Sequence, residues 1–257
     1  ENERRIAVVQ ASLPADGTQF VQFARAHVER LVLQDADVAL FPATPSRLRA
    51  AYDHDAVVRG MSRVAVDTGV AVAFTVSEGA GGTGRRVMYL IGPRGIMLQH
   101  YQTHKPPGPR FESMPLGDEP CPVAHTHVGR VGLIIAAEGF VPEVARSLML
   151  RGAELLLWSA DTPGSALRVF ARTRAEENRV YVACAAAASA DGGALIVDPA
   201  GTVLAEALEG RTLAVAATMN RALTQIKARA PGTDVVRNRQ PGAYAALTRQ
   251  TVAETVL

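Results

Sequence analysis

The chain has 257 residues, of which 48% are apolar and 20% are charged, and this composition excludes an intrinsically disordered protein. Twenty-seven basic and 25 acidic residues leave a net charge of +2, so we expect neither nucleic acid nor a membrane as a partner. No apolar run approaches the roughly 18 residues of a membrane-spanning helix. The charged residues 1–5 lead straight into a strand-like run, which predicts a cytoplasmic protein without a signal peptide.

Cysteine and histidine do not form a metal-binding or disulfide pattern in this sequence. Cys121 and Cys184 are too few for a disulfide framework and lack the spacing of zinc ligands. His125 and His127 alternate on one face of a predicted strand, but the spacing supplies no third ligand. We therefore expect no metal and no cofactor.

Strand and helix signals alternate along the chain. Short apolar runs, most of them typical of strands buried on both faces, predict strands at 6–9, 37–41, 70–76, 87–91, 96–101, 131–135, 155–157, 180–186, 194–197, 203–205 and 213–217, with one more that starts at Cys121. Apolar residues at helical spacing predict helices over 20–31 and 57–65, from Pro142, from 162–163, and from Asn220 to about Arg229. Thr18 is the predicted N-cap of the first helix.

Turns and loops complete the pattern. Glycine-rich turns at 79–84 and 92–95 each separate two strand signals and predict hairpins. A loop from 102 to 120 is long enough to suggest a functional segment. The residues from 231 to 257 form a polar tail with weak patterning. Adjacent strand pairs and strands that alternate with helices predict an α/β protein with a mixed sheet covered by helices.

Several motifs, in this order along the chain, resemble those of the nitrilase (carbon–nitrogen hydrolase) superfamily. Val-Ala-Leu-Phe-Pro-Ala at 38–43 is similar to a strand that ends in Phe-Pro-Glu, and the segment 92–105 is similar to a hairpin that leads into Tyr-Arg-Lys-x-His. The segment 131–146 resembles a strand into Cys-x-Glu/Asp, followed by Phe-Pro-Glu and an Ala-Arg helix. Arg-Gly-Ala-Glu at 151–154 and Arg-Ala-Glu-Glu-Asn at 174–178 add two later motifs.

The resemblance implies a fold and an assembly. The family fold is a four-layer α-β-β-α sandwich, and its members usually pair into dimers through their helical layers. We therefore predict one nitrilase-like domain over 1–230. We also predict that the tail over 231–257 packs on a neighbouring subunit of a homo-oligomer.

The same resemblance assigns three catalytic positions, and this chain departs from the family at all of them. The family uses a Glu as general base, a Lys that stabilises the tetrahedral intermediate and a Cys as nucleophile. The aligned residues here are Ala43, Thr103 and Ala136. A methyl group neither attacks a carbonyl carbon nor accepts a proton, so the expected hydrolase site has no intact catalytic residue.

Four other residues are candidates for ligand binding, each with a structural alternative. Lys105 lies two residues after the expected lysine, and either reaches the pocket or is a solvated loop residue. Glu138 matches an acidic position beside the family nucleophile, and either binds a ligand or accepts hydrogen bonds from the backbone of the turn. Trp158, at the end of a strand, either lines the pocket or packs in the core. Glu112 lies in the long loop with Arg110, either at the pocket mouth or in solvent.

Two main hypotheses of function follow, beside a third, a purely structural oligomer whose pocket is filled by side chains. The first is a non-catalytic member of the superfamily that binds a small molecule, or that acts as a scaffold or regulatory subunit of a partner enzyme. The second is an amide or nitrile hydrolase that has been inactivated by engineering or that uses other catalytic residues. Cys121, just after the long loop, is one candidate for such a nucleophile, whereas Cys184 in a strand pattern is expected to be a buried, inert thiol.

Overall fold

Two six-stranded mixed sheets stack face to face, and two helices cover the outer face of each. The computed structural model describes residues 2–44, 52–78, 84–105, 115–118, 121–161, 164–188, 193–207 and 210–248. The strands are β1 (Glu3–Gln10), β2 (Val38–Leu40), β3 (Ala71–Ser77), β4 (Arg86–Gly92), β5 (Gly95–Tyr101), β6 (Val123–Thr126), β7 (Gly129–Ile135), β8 (Leu155–Ser159), β9 (Tyr181–Ala185), β10 (Leu195–Val197), β11 (Val203–Glu206) and β12 (Leu213–Asn220). The α-helices are α1 (Gly17–Val32), α2 (His54–Thr68), α3 (Pro142–Leu150) and α4 (Gly164–Asn178). None of the described helices is long and apolar enough to cross a membrane.

The two sheets have related topologies. The first has the order β12-β1-β2-β3-β4-β5, and the second has the order β11-β10-β9-β8-β7-β6. In each sheet the three strands that are joined by helical crossovers are parallel, and antiparallel strands extend the sheet on both sides. Because parallel strands that run together end on one edge, the loops that follow β2, β7 and β8 lie at carboxyl-terminal sheet edges.

Alternate residues of each central strand pack into different layers. In β1, Ile6 and Val8 face the second sheet, whereas Ala7 and Val9 face the helices. In β8, Leu157 faces the first sheet, and its neighbour Trp158 faces α3 and α4. The strands are therefore apolar on both sides, which is why their sequences are continuous apolar runs and not alternating ones. This arrangement gives the predicted α-β-β-α sandwich.

The observed helix ends differ from two of the predictions. Thr18 is not the N-cap of α1, because Asp16 holds that position and its side chain accepts a hydrogen bond from the N–H of Gln19 at 2.8 Å. Asn220 does cap a helical turn by accepting from the N–H of Ala222, but that turn is a 3₁₀ helix over Arg221–Gln225 and not a helix to residue 229. Pro142 begins α3, as predicted.

Residues 221–248, which follow β12 and are called the C-terminal segment below, lie against α3 and the end of α4. Arg146 of α3 donates to the carbonyl of Val235 at 3.2 Å, and Arg229 pairs with Glu176 of α4 at 2.5 Å. The 3₁₀ segment Pro241–Thr248 has no buried residue. The packing of this segment on a neighbouring subunit stays a prediction.

Lys227 joins the segment to the end of α4 by hydrogen bonds. Its ammonium group donates to the carbonyls of Asn178 and Arg179 at 3.2 and 2.9 Å. Burial, assisted by the charges of Arg130 and Arg179, lowers the pKa of Lys227 to about 8. Because the unfolded lysine titrates near 10.4, the unfolded chain binds more protons than the folded chain between these two values.

We expect the stability of the protein relative to a Lys227→Met variant to rise as the pH increases from about 8 to about 10. Deprotonation removes a charge that is costly to bury in the folded chain. The measurement is the urea midpoint of both proteins across this pH range, and the subtraction cancels the titration of other groups that the two proteins share. A difference that falls or stays constant with pH would contradict the lowered pKa.

Candidate active site

The loops after β2, β5, β7 and β8 meet at one edge of the sandwich. Ala43, in the loop after β2, donates its N–H to the carbonyl of Ala160 at 3.1 Å, and Ala160 directly follows β8. The hydroxyl of Ser159 donates to the carbonyl of Phe41 at 3.0 Å. These bonds join the first sheet to the second. Since β7 is the parallel neighbour of β8, with Ile135 opposite Ser159, Ala136 lies beside the same contact.

Ala136 has a backbone conformation that is unusual for alanine. Its φ of 49° is in the left-handed region, which costs a residue with a Cβ about 1–2 kcal/mol. The residue directly follows β7 and begins a 3₁₀ turn over Ala136–Phe140. Neither its methyl group nor that of Ala43 has appreciable contact with solvent. The strained turn therefore needs support from its surroundings.

Trp158 and Arg174 give this support from the helical side. The indole N–H of Trp158 donates to the carbonyl of Ala136 at 2.9 Å. Gly139 lies flat against the indole, since a Cβ at that position would be 2.1 Å from the ring. The guanidinium of Arg174 donates to the carbonyls of Gly139 and Phe140 at 3.1 and 3.0 Å. The turn is thus fixed at both ends by buried side chains.

Glu138 supports the turn from within. Its fully buried carboxylate accepts from the N–H of Ile135 at 2.7 Å and from the N–H and hydroxyl of Thr103 at 2.6 and 2.8 Å. The Nε2 of His100 lies 3.0 Å from both carboxylate oxygens. One carboxylate therefore connects the end of β5 to the end of β7.

These contacts determine the ionisation of Glu138. Burial by itself would raise the pKa of the carboxyl group. Hydrogen bonding to His100, the charge of that imidazole, and the N–H groups of Thr103 and Ile135 outweigh burial and bring the pKa below its usual value. The group is therefore a carboxylate at neutral pH, with its lone pairs directed at donors of the protein.

A buried arginine closes the opposite side of the site. Arg86, only 2% exposed, donates to Asp161 at 2.9 Å and to the carbonyl of Thr44 at 2.8 Å. A longer bond of 3.4 Å reaches the side-chain oxygen of Gln102. Arg86 thus contacts the residues that follow β2, β5 and β8. Its guanidinium group contacts the residue that directly follows Ala43 in the chain.

The other predicted binding residues have different surroundings. The indole of Trp158 is fully buried, and its N–H is used by the turn. Lys105 is half-buried and lies two residues beyond Thr103, whereas His104 is exposed, with Nδ1 at 2.9 Å from the Thr103 hydroxyl. Glu112 lies outside the described residues. Of these residues, Trp158 contacts the turn after β7 and stabilises it.

Cys121 lies beside this network. It is half-buried and comes two residues before β6, whose antiparallel pairing with β7 puts it near the end of β7. Burial, followed by the negative charge of Glu138, raises the pKa of its thiol. Burial also raises the pKa of Cys184. Both thiols are therefore protonated at neutral pH and are weak nucleophiles.

Sequence reasoning missed His100 and Arg86. The alternation of β5 contained a signal for the histidine, because His100 shares the inward face of that strand with Leu98. Arg86 had no such signal, since a basic residue after a glycine-rich turn is typical of an exposed hairpin end.

Among the described residues, no group of three or more His, Cys, Asp or Glu side chains could hold a metal ion.

Comparison with known proteins finds one matching family and several relatives of known activity. The model described as "Carbon-nitrogen hydrolase" matches residues 5–228. An (R)-stereoselective amidase of Pseudomonas sp. is 34% identical over 148 residues, which are 54% of this chain and 53% of that protein. The deaminated glutathione amidase of Bos taurus is 32% identical over 149 residues, which are 54% of this chain and 42% of that protein. The chain thus matches about half the length of these curated relatives.

Solved structures support the same fold. A cysteine-to-alanine mutant of the Nesterenkonia AN1 amidase from the nitrilase superfamily superposes with a TM-score of 0.80. The superposition covers 95% of this chain and 97% of the other at 22% sequence identity. A double mutant of that amidase in complex with acrylamide gives a TM-score of 0.81 over 96% of this chain. At this identity the likeness concerns the fold, which agrees with the predicted sandwich.

Replacement of Glu138 by Gln is expected to lower the free energy of unfolding by about 3 kcal/mol at pH 7, because it removes a buried charge and directs an amide N–H₂ at donors. The folded-state pKa of Glu138 is lowered, so its stabilisation is present above the unfolded value of about 4.3 and is lost as the pH falls through the folded value. Urea unfolding between pH 3 and 7 should show the difference shrinking in acid. Glu143→Gln, at an exposed position in α3, is the control.

Replacement of Ala136 by Gly is expected to leave stability unchanged or to raise it by up to about 1 kcal/mol, because glycine adopts the left-handed region without strain. The matched control is Ala145→Gly in the middle of α3, which should lose about 1 kcal/mol from helix propensity and lost packing. Thermal and urea unfolding measure both changes. Equal destabilisation at the two positions would argue against strain at Ala136.

Proposed function

Because this chain belongs to the carbon–nitrogen hydrolase family, we propose that it is a member without C–N hydrolase activity that acts as a binding, scaffolding or regulatory subunit. The observation that carries the proposal is the chemistry of three positions that the family resemblance assigns to base, cation and nucleophile. They hold Ala43, Thr103 and Ala136, and the two alanines are buried methyl groups in the loops that meet at the candidate site. Loss of a catalytic unit in serine proteases lowers the rate by about 10⁴ to 10⁶.

The supports of the site favour a protein that keeps its architecture for another purpose. Glu138, Trp158 and Arg174 still hold the turn after β7 in a strained conformation. Thr103 now uses both its N–H and its hydroxyl on Glu138. This side chain is a neutral hydroxyl whose hydrogen is donated to Glu138, so it offers a developing oxyanion neither a positive charge nor a free donor.

A second candidate function is amide hydrolysis with Cys121 as a displaced nucleophile. The observation in its favour is the position of this thiol beside Thr103 and Glu138. Against it stands the raised pKa of the thiol, since the thiolate and not the thiol is the reactive form. The two candidates differ in the effect of removing this thiol.

Self-association and partners complete the proposal. We infer that two or more copies pair through an outer helical layer, and that the segment after residue 230 reaches the neighbouring subunit. The same proposal includes a small-molecule ligand or a partner enzyme and a cytoplasmic location. Its support is the resemblance to the family, together with a large apolar residue that each of the four described α-helices exposes: Val32, Val66, Leu150 and Val169.

We expect the wild-type protein to hydrolyse none of a panel of simple amides, nitriles, N-carbamoyl amino acids and deaminated glutathione. Ala136→Cys alone should also be inactive, because no base at residue 43 takes the proton of the thiol. The triple variant Ala43→Glu/Thr103→Lys/Ala136→Cys is the positive test of a retained site, with release of ammonia or amine as the readout.

Each outcome has a separate meaning. Wild-type turnover that persists in Cys121→Ser would overturn both candidates, and turnover that disappears in Cys121→Ser would establish the second. Cys184→Ser, which removes the fully buried thiol, is the matched control. Turnover by the triple variant alone would support a preserved site shape in an inactive protein.

A further inference from the structure

A cavity of about 430 Å³ lies between α3 and the C-terminal segment, away from the loops that form the candidate active site. Its lining combines basic, acidic, amide, aromatic and aliphatic side chains: Arg146, Asp234, Val235, Asn238, Arg239, Tyr244 and Leu247. This volume is within the range of small-molecule sites, which is about 300–1,000 Å³. It takes no part in the proposed loss of hydrolase activity. The segment that forms one wall of the cavity packs against α3 of its own chain, and this packing is independent of any further contact with a neighbouring subunit.

Two guanidinium groups give the cavity its charge. Arg146 is held in place by bonds to the carbonyls of Val235 and Glu177 at 3.2 and 2.8 Å. Burial lowers the pKa of Arg146; the carboxylate of Glu177, which is paired with Arg174 at 2.6 Å, opposes this, and the charge of Arg239 adds to it. Arg146 and Arg239 both line the cavity. Among the described residues, no carboxylate forms an ion pair with either guanidinium.

The acidic residue of the lining does not neutralise this pair. The carboxylate of Asp234 accepts from the N–H groups of Val236 and Arg237, each at 2.8 Å, and these bonds lower its pKa. Its negative charge is thus directed at the backbone of its own turn. Residues 221–248 contain five basic side chains and this single acidic one, whereas the whole chain has a net charge of only +2. The segment is the basic part of the molecule.

The remaining lining is apolar or amphipathic. Tyr244 and Leu247 are 39% and 65% exposed, and Val235 packs against the apolar layer of α3 and α4. Arginine and tyrosine next to aliphatic surface are typical of binding sites, in which the guanidinium recognises a carboxylate or phosphate and the apolar wall receives the body of the ligand.

We propose that this cavity binds a small organic anion, with its carboxylate or phosphate group between Arg146 and Arg239 and its apolar part against Val235 and Leu247. The bound anion would accept charge-assisted hydrogen bonds from the two guanidinium groups. It would also bridge α3 and the C-terminal segment, so occupancy would stabilise the position of that segment.

Three probes distinguish the anion from the apolar part: benzoate, inorganic phosphate and benzyl alcohol, each titrated into the full chain by calorimetry and followed by thermal unfolding. We expect saturable binding of benzoate with one site per chain, a rise in the unfolding temperature, and no comparable binding of uncharged benzyl alcohol. The affinity for benzoate should fall as the salt concentration increases. Phosphate that binds in place of benzoate would identify a phosphate group as the preferred anion.

Variants assign the effect to the cavity. Arg239→Gln should weaken binding about tenfold or more, and Arg239→Lys should weaken it less, because a charge is kept but the planar donor pair is lost. Arg63→Gln, at an exposed position of α2 in the opposite outer layer, should leave the affinity unchanged. Circular dichroism of the unliganded variants verifies their folding. Absence of saturable binding by both anions, equal binding of benzyl alcohol, or an affinity that Arg239→Gln leaves unchanged would overturn the proposal.

Discussion

The buried carboxylate of Glu138 is the constraint on which the rest of the site depends. A charge in this position is tolerated only when donors surround it, and here they come from the backbone on either side of the inter-sheet contact and from His100. The same bonds that satisfy the charge determine where β5 ends and how β7 turns. The left-handed backbone of Ala136 is therefore a consequence of electrostatics as much as of packing.

Residues of the family motifs divide into two groups in this molecule. Those that hold the backbone are present: Glu138 in the turn, Glu154 with Arg130 and Arg221, and Arg174 on the carbonyls of the turn. Those that the resemblance assigns to bond-breaking differ. The first group contributes to the free energy of folding, whereas the second contributes to the rate of a reaction. Replacement of the second group can therefore leave the fold intact. This separation explains how the chain retains the sandwich while its chemistry, as we propose, is lost.

Much of the fold could be predicted because each layer corresponds to a simple pattern of apolar residues in the sequence. Strands covered on both faces are continuous apolar runs, and Pro142 marks a helix start by its fixed φ. Helix N-caps were harder to predict. Asp16 and Thr18 are both residue types that favour the N-cap position, and only the residue at which the helix begins distinguishes them. The partners of Glu138 and Arg86 were beyond prediction, because they join residues that only the stacking of the two sheets brings together.

The indole against Gly139 belongs to the single tryptophan of the sequence. Its ring is buried, its N–H is engaged by Ala136, and Phe140 meets it edge-on with 5.4 Å between the ring centroids. The tryptophan fluorescence of the whole protein therefore originates at the turn after β7. A shift of its emission to longer wavelength would report water entering this one turn, so that an unlabelled sample contains its own optical probe of the site.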